Sequence, residues 1–286
     1  IRQLQEDGYA FEAVPRRGYR LTGKPDRFDK ASILAGLTTK VMGRNLHVLD
    51  EVDSTQATAH ALAAQGAPEG TLVLAERQTA GRGRMGRSWH SPAGKGIWMS
   101  LVLTPPVPVR FVSQLTLVVA VAVCRAIRRC VDVDVGIKWP NDLMVGNRKV
   151  CGILLESRAE DERLCHVAAG IGISVNLDAD DFPENLRDVA TSLKIESGAD
   201  VDRTQLVCEV MREIERLYGL YREQGFAPIR LLWEALSVSL HRPVRIRVRD
   251  GWVEGVAQAI DDDGALDVRM TNGQMRKFFA GDVEFR

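Results

Sequence analysis

The sequence has no net charge, because its 38 lysines and arginines balance its 38 aspartates and glutamates. A chain without an overall basic field does not attract nucleic acid or phosphate by bulk electrostatics, so any anion site must come from local clustering. The sequence also lacks a CxxC pair, and its 5 cysteines are an odd number, which fits poorly with a secreted disulfide framework. We therefore expect reduced thiols and a cytoplasmic protein.

Long apolar runs are missing as well. The longest, residues 115–124, is too short to span a bilayer, and no basic, apolar leader opens the chain, so we expect no membrane partner. There is no internal repeat and no low-complexity tract. With 45% hydrophobic residues over 286 positions, the chain has the composition of an ordinary globular protein with a sizeable core.

The N-terminal end has a pattern of its own. Residues 1–6 are typical of the end of a helix, and the aspartate-glycine pair that follows would stop it, because glycine takes the left-handed conformation. Residues 9–14 and 19–21 then predict two short strands around a basic tip that contains Arg16 and Arg17.

From about residue 30 the signals alternate between helices and strands. Helices are predicted at residues 31–37, 55–65, 112–130 and 204–224, and strands at residues 46–52, 71–76, 133–138, 149–158 and 164–176. The last two strands form a predicted hairpin, and adjacent antiparallel strands favour a mixed sheet over a fully parallel one.

After residue 243 the sequence pattern changes to that of short strands with alternating apolar and polar residues. They are predicted at residues 244–248, 252–260 and 265–270, with hairpin turns at 263–264 and 272–273. This tail is predicted to be a separate, small all-β unit.

The most informative segment is residues 78–89, QTAGRGRMGRSW, which combines three glycines with three arginines. The planar guanidinium group of arginine can donate paired hydrogen bonds to phosphate oxygens, and glycines let backbone N–H groups approach the same anion. The spacing is neither a Walker loop nor a dinucleotide fingerprint. A solvated surface loop, or a loop that touches nucleic-acid backbone, would have a similar composition. Trp89 favours a binding site, because its ring can pack on a purine or on the closed loop.

A second motif, KWPNDL at residues 138–143, follows a predicted strand, where α/β proteins usually gather binding residues. Lys138 could neutralise phosphate, and Asn141 could hydrogen-bond a polar substrate group. Asp142 could help hold Mg²⁺ or accept a proton. The alternative is a proline-containing turn with a capping asparagine or aspartate.

Three further motifs have an ordinary structural explanation beside the functional one. Lys149 precedes Gly152, whose missing side chain lets a ligand lie against the strand, although a lone lysine at a strand start is usually just exposed. The apolar strand that ends at Asn176 is a core strand in either case. DSTQ at residues 53–56 is either a helix N-cap or a donor-rich site for the ureido group of a small ligand.

Together, and in this order, these motifs resemble the biotin protein ligase family, in particular its bacterial bifunctional members, which are also biotin operon repressors. Residues 81–89 are similar to the family's GRGRxGRxW signature, 138–143 to its KWPND element, 149–156 to its KxxGIL element and 170–176 to its GIGxN-type strand. The resemblance covers nearly the whole chain. It departs at Gln56, where members often have asparagine, and at the start, where repressor members have a complete winged helix-turn-helix domain.

The resemblance implies an α+β fold with a mixed-sheet, class II synthetase-like catalytic domain, a small C-terminal β-barrel and the remnant of an N-terminal winged helix. The implied boundaries are residues 1–23 for the partial winged helix, 24–29 for a linker, 30–240 for the catalytic domain and 241–286 for the barrel. The implied ligands are ATP, Mg²⁺ and biotin. The implied partners are the biotin carboxyl carrier protein of acetyl-CoA carboxylase, biotin operator DNA and a second copy of the chain in a homodimer.

The resemblance also implies roles for individual residues. The implied biotin site consists of Ser54, Thr55, Gln56, Gln78, Gly81, Arg82, Gly83, Arg84, Lys149 and Gly152. The implied ATP and adenylate site consists of Arg84, Arg87, Trp89, Asn141, Asp142 and Asn176. Arg84 and Lys149 are expected to neutralise charge as pyrophosphate leaves, and Asp142 to help hold Mg²⁺ and to deprotonate the acceptor lysine. Arg16 and Arg17 are expected to contact DNA phosphate in the intact protein.

Other functions remain open on the sequence alone. A lipoate ligase-type enzyme of the same superfamily is expected to lack this arginine loop. A repressor that only senses biotin-adenylate would bind the ligand without efficient ligase activity. A general nucleotide-binding module would bind ATP independently of biotin, so an ordered dependence on both substrates distinguishes the ligase.

Overall fold

The computed structural model describes residues 1–2, 5, 10–15, 17–23, 27–160, 163–248 and 251–285. At the N-terminal end, β1 (Ala10–Val14) and β2 (Gly18–Gly23) form the predicted antiparallel hairpin. Arg17 is exposed at its tip, whereas Arg16 lies outside the described residues. Half of the helix end predicted at residues 1–6 also lies outside them.

A seven-stranded mixed sheet carries the centre of the molecule, in the order β3-β4-β5-β9-β8-β7-β6. The β3–β4 pair is parallel and the other neighbouring pairs are antiparallel. The strands are β3 (Leu46–Val52), β4 (Leu72–Gln78), β5 (Gly96–Leu103), β6 (Val135–Lys138), β7 (Asp142–Val145), β8 (Arg148–Glu160) and β9 (Arg163–Ser174). The predicted mixed sheet is therefore confirmed.

Helices cover both faces of this sheet. They are α1 (Lys30–Gly36), α2 (Thr55–Ala64), α3 (Val112–Cys130), α4 (Leu193–Ser197), α5 (Arg203–Gln224) and α6 (Ala227–Leu236). Because side chains alternate along a strand, Val102 faces α2 and packs on Ala59, whereas Leu101 belongs to the main core with α3 and α5. The α2 face has the smaller apolar cluster, and the cavity described below opens on this face.

Helix α3 is deeply buried. The segment Val109–Cys130 is long and apolar enough to cross a membrane by length and composition, which the short apolar run in the sequence did not indicate. However, 67% of its apolar window is buried inside the protein. The helix packs between the sheet and α5 and α6, as the core helix of a globular protein does.

The C-terminal residues form a five-stranded antiparallel sheet in the order β13-β12-β11-β10-β14. Its strands are β10 (Pro243–Val248), β11 (Gly251–Ile260), β12 (Leu266–Met270), β13 (Met275–Phe278) and β14 (Val283–Phe285). The first three strands were predicted, and the last two are short additions at the edges. The segment between β13 and β14 contacts the loop between β4 and β5 through Gly281 and Asp282.

A buried ion pair joins helix α5 to the sheet. Arg203 donates to the Glu76 carboxylate at 2.9 Å, and the two side chains are 1% and 6% exposed. Glu76 also accepts from the backbone N–H of Phe28 at 2.5 Å. This pair fixes the segment before α1 and the start of α5 to strand β4.

Candidate active site

A cavity of about 510 Å³ opens on the α2 face of the seven-stranded sheet. Five segments that are distant in sequence form its wall: the start of α2, the loop between β4 and β5, the β6–β7 turn with the start of β8, residues 182–190 before α4, and residues 281–284 of the C-terminal sheet. A cavity of this size is typical of small-molecule sites.

The floor of the cavity is made of glycines on the two central strands. Gly152 of β8 pairs directly with Gly172 of β9. The indole of Trp89 lies over both, since a Cβ added at Gly152 would be 2.8 Å from the ring and one added at Gly172 would be 2.4 Å from Nε1. The sequence predicted that a ligand could lie against Gly152, and the structure places Trp89 there.

Ser54 supplies a free hydroxyl at one end of the cavity. It is the N-cap residue of α2, yet its side chain makes no capping hydrogen bond. Its Oγ is buried and has no partner among the described residues, although buried polar atoms are normally hydrogen-bonded. The helix-capping explanation for this motif is therefore incomplete, and the hydroxyl is available to a ligand.

Beside Ser54, a chain of hydrogen bonds holds the neighbouring polar side chains. Gln78 accepts from the backbone N–H of Thr55 at 2.9 Å, and the Thr55 hydroxyl lies 2.9 Å from that of Ser100. Ser100 in turn donates to Gln56, whose amide donates to the Ala168 carbonyl at 2.9 Å. This end of the cavity is polar, rigid and largely free of charge.

The arginine loop, residues 81–89, projects over the cavity from a narrow neck. The backbone N–H of Trp89 donates to the Gly81 carbonyl at 2.8 Å. A Cβ at Gly81 would lie only 2.6 Å from the Trp89 carbonyl oxygen, so the neck needs glycine. At the tip, Met85 has φ 56° and its side chain is exposed.

Two arginines connect this loop to the opposite walls. Arg84 donates to the Asn141 side chain at 2.8 Å and approaches the Gly281 carbonyl at 3.5 Å. Arg87 pairs with the Asp282 carboxylate at 2.6 Å. Burial is the largest cause that lowers the pKa of the Arg84 guanidinium, with Arg87 a smaller one, so a bound anion would be favoured beside it.

Lys149, at the start of β8, supplies a further cation. Its ammonium lies 2.6 Å from the Asp142 carboxylate and 5.0 Å from the centre of the Trp89 ring. Asn141, next to Asp142, donates to the Ile153 carbonyl at 2.8 Å. The KWPND turn and the start of β8 thus place one carboxylate and one ammonium side by side in the cavity.

Most of the residues assigned from sequence line this cavity. They are Ser54, Thr55, Gln56, Gln78, Arg82, Gly83, Arg84, Arg87, Trp89, Asn141, Asp142, Lys149 and Gly152. Gly81 lies in the neck of the loop instead. Asn176 lies outside the wall, where its amide donates to the Val201 carbonyl at 3.0 Å and accepts from the Val201 N–H at 2.9 Å. The roles predicted for these two residues stay predictions.

The sequence reading missed the wall formed by Gly281 and Asp282. These residues carry no motif, and Asp282 reaches Arg87 across 195 positions of sequence. It also missed Ser100, because strand β5 was not predicted. A buried strand with eight successive apolar or small residues has no alternation to reveal which side chains face a ligand.

The chain has similarities to known proteins along its whole length. The biotin/lipoate A/B protein ligase family matches residues 48–174, and the biotin protein ligase C terminal domain matches residues 240–286. The chain is 46% identical to the bifunctional ligase/repressor BirA of Bacillus spizizenii over 284 residues, which cover 99% of this chain and 87% of that protein. It is 36% identical to the biotin acetyl-CoA-carboxylase ligase of Paracoccus denitrificans, over 79% of this chain and 95% of that protein.

A solved structure is similar as well. The biotin protein ligase from Aquifex aeolicus in complex with biotin and ATP aligns with a TM-score of 0.73 and 30% identity, over 85% of this chain and 99% of that chain.

Proposed function

The chain belongs to the biotin protein ligase family, and we propose on that premise that it joins biotin to a lysine of a biotin carboxyl carrier protein. The reaction has two steps: ATP activates biotin as biotinyl-5′-AMP with release of pyrophosphate, and the acceptor lysine then displaces AMP. The observation that carries the proposal is the combination, in one cavity, of an uncharged polar end at Ser54 with a cationic wall formed by Arg84, Arg87 and Lys149.

The polar end suits the ureido group of biotin. The Ser54 hydroxyl has no partner among the described residues, and the Thr55 and Gln56 side chains are already fixed, so the site is organised before the ligand arrives. Such preorganisation reduces the entropy lost on binding. Gln78, Arg82, Gly83 and Gly152 complete the proposed biotin site.

The cationic wall suits the reacting groups. The biotin carboxylate and the α-phosphate of ATP are both anions, so their approach requires positive charge. Arg84, Arg87 and Lys149 provide it, and the Trp89 ring provides an apolar surface for the adenylate. Because Lys149 is paired with Asp142, an anion that binds Lys149 releases this carboxylate to accept the proton of the acceptor lysine.

Mg²⁺ fits the site only together with the nucleotide. The described residues contain no group of three or more His, Cys, Asp or Glu side chains that could hold a metal ion. Asp142 alone would therefore hold the ion, with phosphate oxygens and water as the other ligands, and the bound ion would neutralise phosphate charge.

The arginine loop is proposed to exclude water from the mixed anhydride. Its contacts with Asn141 and with the C-terminal segment already cover one side of the cavity. A closed loop would prevent hydrolysis of the adenylate before the acceptor arrives.

The name ligase/repressor of the Bacillus spizizenii relative supports a second function, binding to operator DNA. Arg17 at the exposed tip of the β1–β2 hairpin is the described residue proposed to contact phosphate. We propose an N-terminal winged-helix unit at residues 1–23, a linker at 24–29, a catalytic domain at 30–240 and a C-terminal unit at 241–286. A gel-shift assay with operator DNA and biotinyl-5′-AMP tests this second function.

We also propose that the chain pairs with a second copy of itself to form a homodimer. Strand β7 pairs with β8 only as far as Gly152. Beyond Ile153, this edge of β8 therefore has no neighbouring strand within the described residues. An open strand edge pairs readily with another strand. Sedimentation with and without biotinyl-5′-AMP tests the oligomeric state. We also propose that the chain acts in the cytoplasm.

The experiment that tests the ligase function is transfer of biotin to a carrier-protein fragment, read by streptavidin blot. Labelling should require biotin, ATP, Mg²⁺ and enzyme together. Pyrophosphate release that needs biotin, without labelling, would indicate a sensor or another acceptor. ATP turnover without any dependence on biotin would overturn the proposal, and a preference for lipoate would favour the lipoate ligase.

A further inference from the structure

Lys138 is a cavity residue whose type suits phosphate but to which the proposed ligase mechanism gives no role. It ends strand β6 and lines the same cavity as Lys149. Lys149 is paired with Asp142, but Lys138 makes no ion pair with any described residue. A half-buried ammonium without a carboxylate partner is a costly arrangement, and it is usually found where an anion binds.

The C-terminal sheet holds this ammonium with an aromatic ring. The Nζ of Lys138 lies 5.4 Å from the centre of the Phe285 ring in β14, and the Arg242 guanidinium lies 4.1 Å from the same ring. A ring attracts a cation without neutralising it. The contact fixes the position of the ammonium and leaves its charge available.

The electrostatics of Lys138 agree with this geometry. Burial is the largest cause that lowers its pKa, and Lys149 lowers it further. The nearby carboxylates of Asp142, Glu284 and Asp282 act in the opposite direction without cancelling the effect. A bound anion would restore the pKa of Lys138, so the site is electrostatically incomplete without one.

The strand order shows which part of the nucleotide Lys138 would meet. The uncharged polar end lies at α2 and β5, Lys149 lies on the central strand β8, and Lys138 lies on the edge strand β6. Neighbouring strands are roughly 5 Å apart, so Lys138 lies about two strands beyond Lys149, away from the polar end. If the biotin carboxylate and the α-phosphate meet near Lys149, the β- and γ-phosphates extend toward Lys138.

We propose that Lys138 stabilises the leaving pyrophosphate during adenylate formation and that Phe285 is its positioning residue; this inference rests on the proposed ligase function. A carboxylate oxygen of biotin forms a bond to the α-phosphorus of ATP, while the bond from that phosphorus to the oxygen bridging to the β-phosphate breaks. The electron pair remains on pyrophosphate, and the Lys138 ammonium donates a hydrogen bond to the resulting oxyanion.

The test separates the two half-reactions. Lys138→Met keeps the length of the side chain and removes its charge. Biotin-dependent exchange of pyrophosphate into ATP should fall by about 100-fold, the usual effect of losing one group that stabilises transition-state charge. Transfer from supplied biotinyl-5′-AMP to the carrier should be unchanged. Lys138→Arg should recover part of the exchange, and Lys30→Met, at the exposed start of α1, is the matched control.

The melting temperature of each variant serves as the control for correct folding. Because methionine does not carry a desolvated charge, Lys138→Met should melt at the same temperature as the parent or higher. Phe285→Leu should raise the KM for pyrophosphate in the exchange reaction and leave the KM for biotin unchanged. A general structural loss would change both KM values.

Two outcomes would overturn the inference: normal exchange in Lys138→Met, or an equal fall in both half-reactions. If the parent protein shows no biotin-dependent exchange, the ligase function itself fails. Calorimetric binding of inorganic pyrophosphate to the full chain then still tests Lys138, because the parent should bind and Lys138→Met should bind at least 10-fold more weakly. Equal binding by the two proteins would refute the role of Lys138 as well.

Discussion

The contact between Trp89 and Gly172 predicts a large functional effect of one added methyl group. In Gly172→Ala, the new Cβ would lie 2.4 Å from the indole Nε1, about 1 Å short of ordinary van der Waals contact. Strand β9 is paired on both sides, so the indole must move rather than the backbone. A misplacement of about 1 Å at a reacting site costs on the order of 100-fold in rate. We expect kcat/KM for adenylate formation to fall by about that factor.

The effect on stability should be much smaller. Trp89 is carried by a loop and is partly exposed, so it can retreat, and we expect the free energy of unfolding to fall by about 1 kcal/mol. Pyrophosphate exchange and urea unfolding measure the two effects. Gly219→Ala, a glycine in α5 with nothing within 4 Å of the added Cβ, is the matched control. Unchanged kcat/KM in Gly172→Ala would refute the packing argument.

Three further predictions follow from the polar groups. Ser54→Ala should raise the KM for biotin roughly 10-fold, the effect of one lost hydrogen bond, without changing the melting temperature, because no described residue bonds to this hydroxyl. Glu76→Gln removes the negative charge from a buried ion pair with Arg203 and should lower the free energy of unfolding by about 3 to 5 kcal/mol in urea titrations, whereas a cost under about 1 kcal/mol would contradict this. Burial is the largest cause that lowers the pKa of His60 and of His166 from 6.5, so the unfolded chain binds more protons. Stability should be complete above pH 6.5 and decrease as the pH falls below it, and a melting temperature that stays constant from about pH 7 to 5 would disprove the shift.

Helices and strands could be predicted wherever a short stretch of sequence carries a recognisable pattern of apolar and polar residues. Helix α3 was predicted with its observed bounds because it is a long apolar segment, and α5 within one residue because its apolar residues recur at helical spacing. The hairpin of β8 and β9 was visible because polar residues separate two apolar runs. Strand β5 was missed although it is an interior strand of the sheet. Its eight residues are all buried, and such a run has no alternation that would identify a strand.

The site was predictable where the chemistry lies within one motif. The arginine loop and the KWPND turn identified most of the cavity wall from residue types alone. Their mutual contacts were not predictable, because the Arg84–Asn141 bond spans 57 positions and the Arg87–Asp282 pair spans 195. Such contacts depend on how the two sheets pack, for which a local pattern contains no information. Asn176 was identified from a motif and lies outside the cavity wall, where its amide donates to the Val201 carbonyl, so its role stays a prediction.

The position of Trp89 over the glycine floor also makes the cavity optically observable. Trp98, Trp139 and Trp233 are at most 1% exposed, and Trp252 lies in the C-terminal sheet. Trp89 is partly exposed inside the cavity, and its indole N–H has no hydrogen-bond partner among the described residues. Any ligand that enters the cavity changes the polarity around this ring, so the intrinsic fluorescence of the unlabelled protein should report binding and loop closure in stopped-flow experiments.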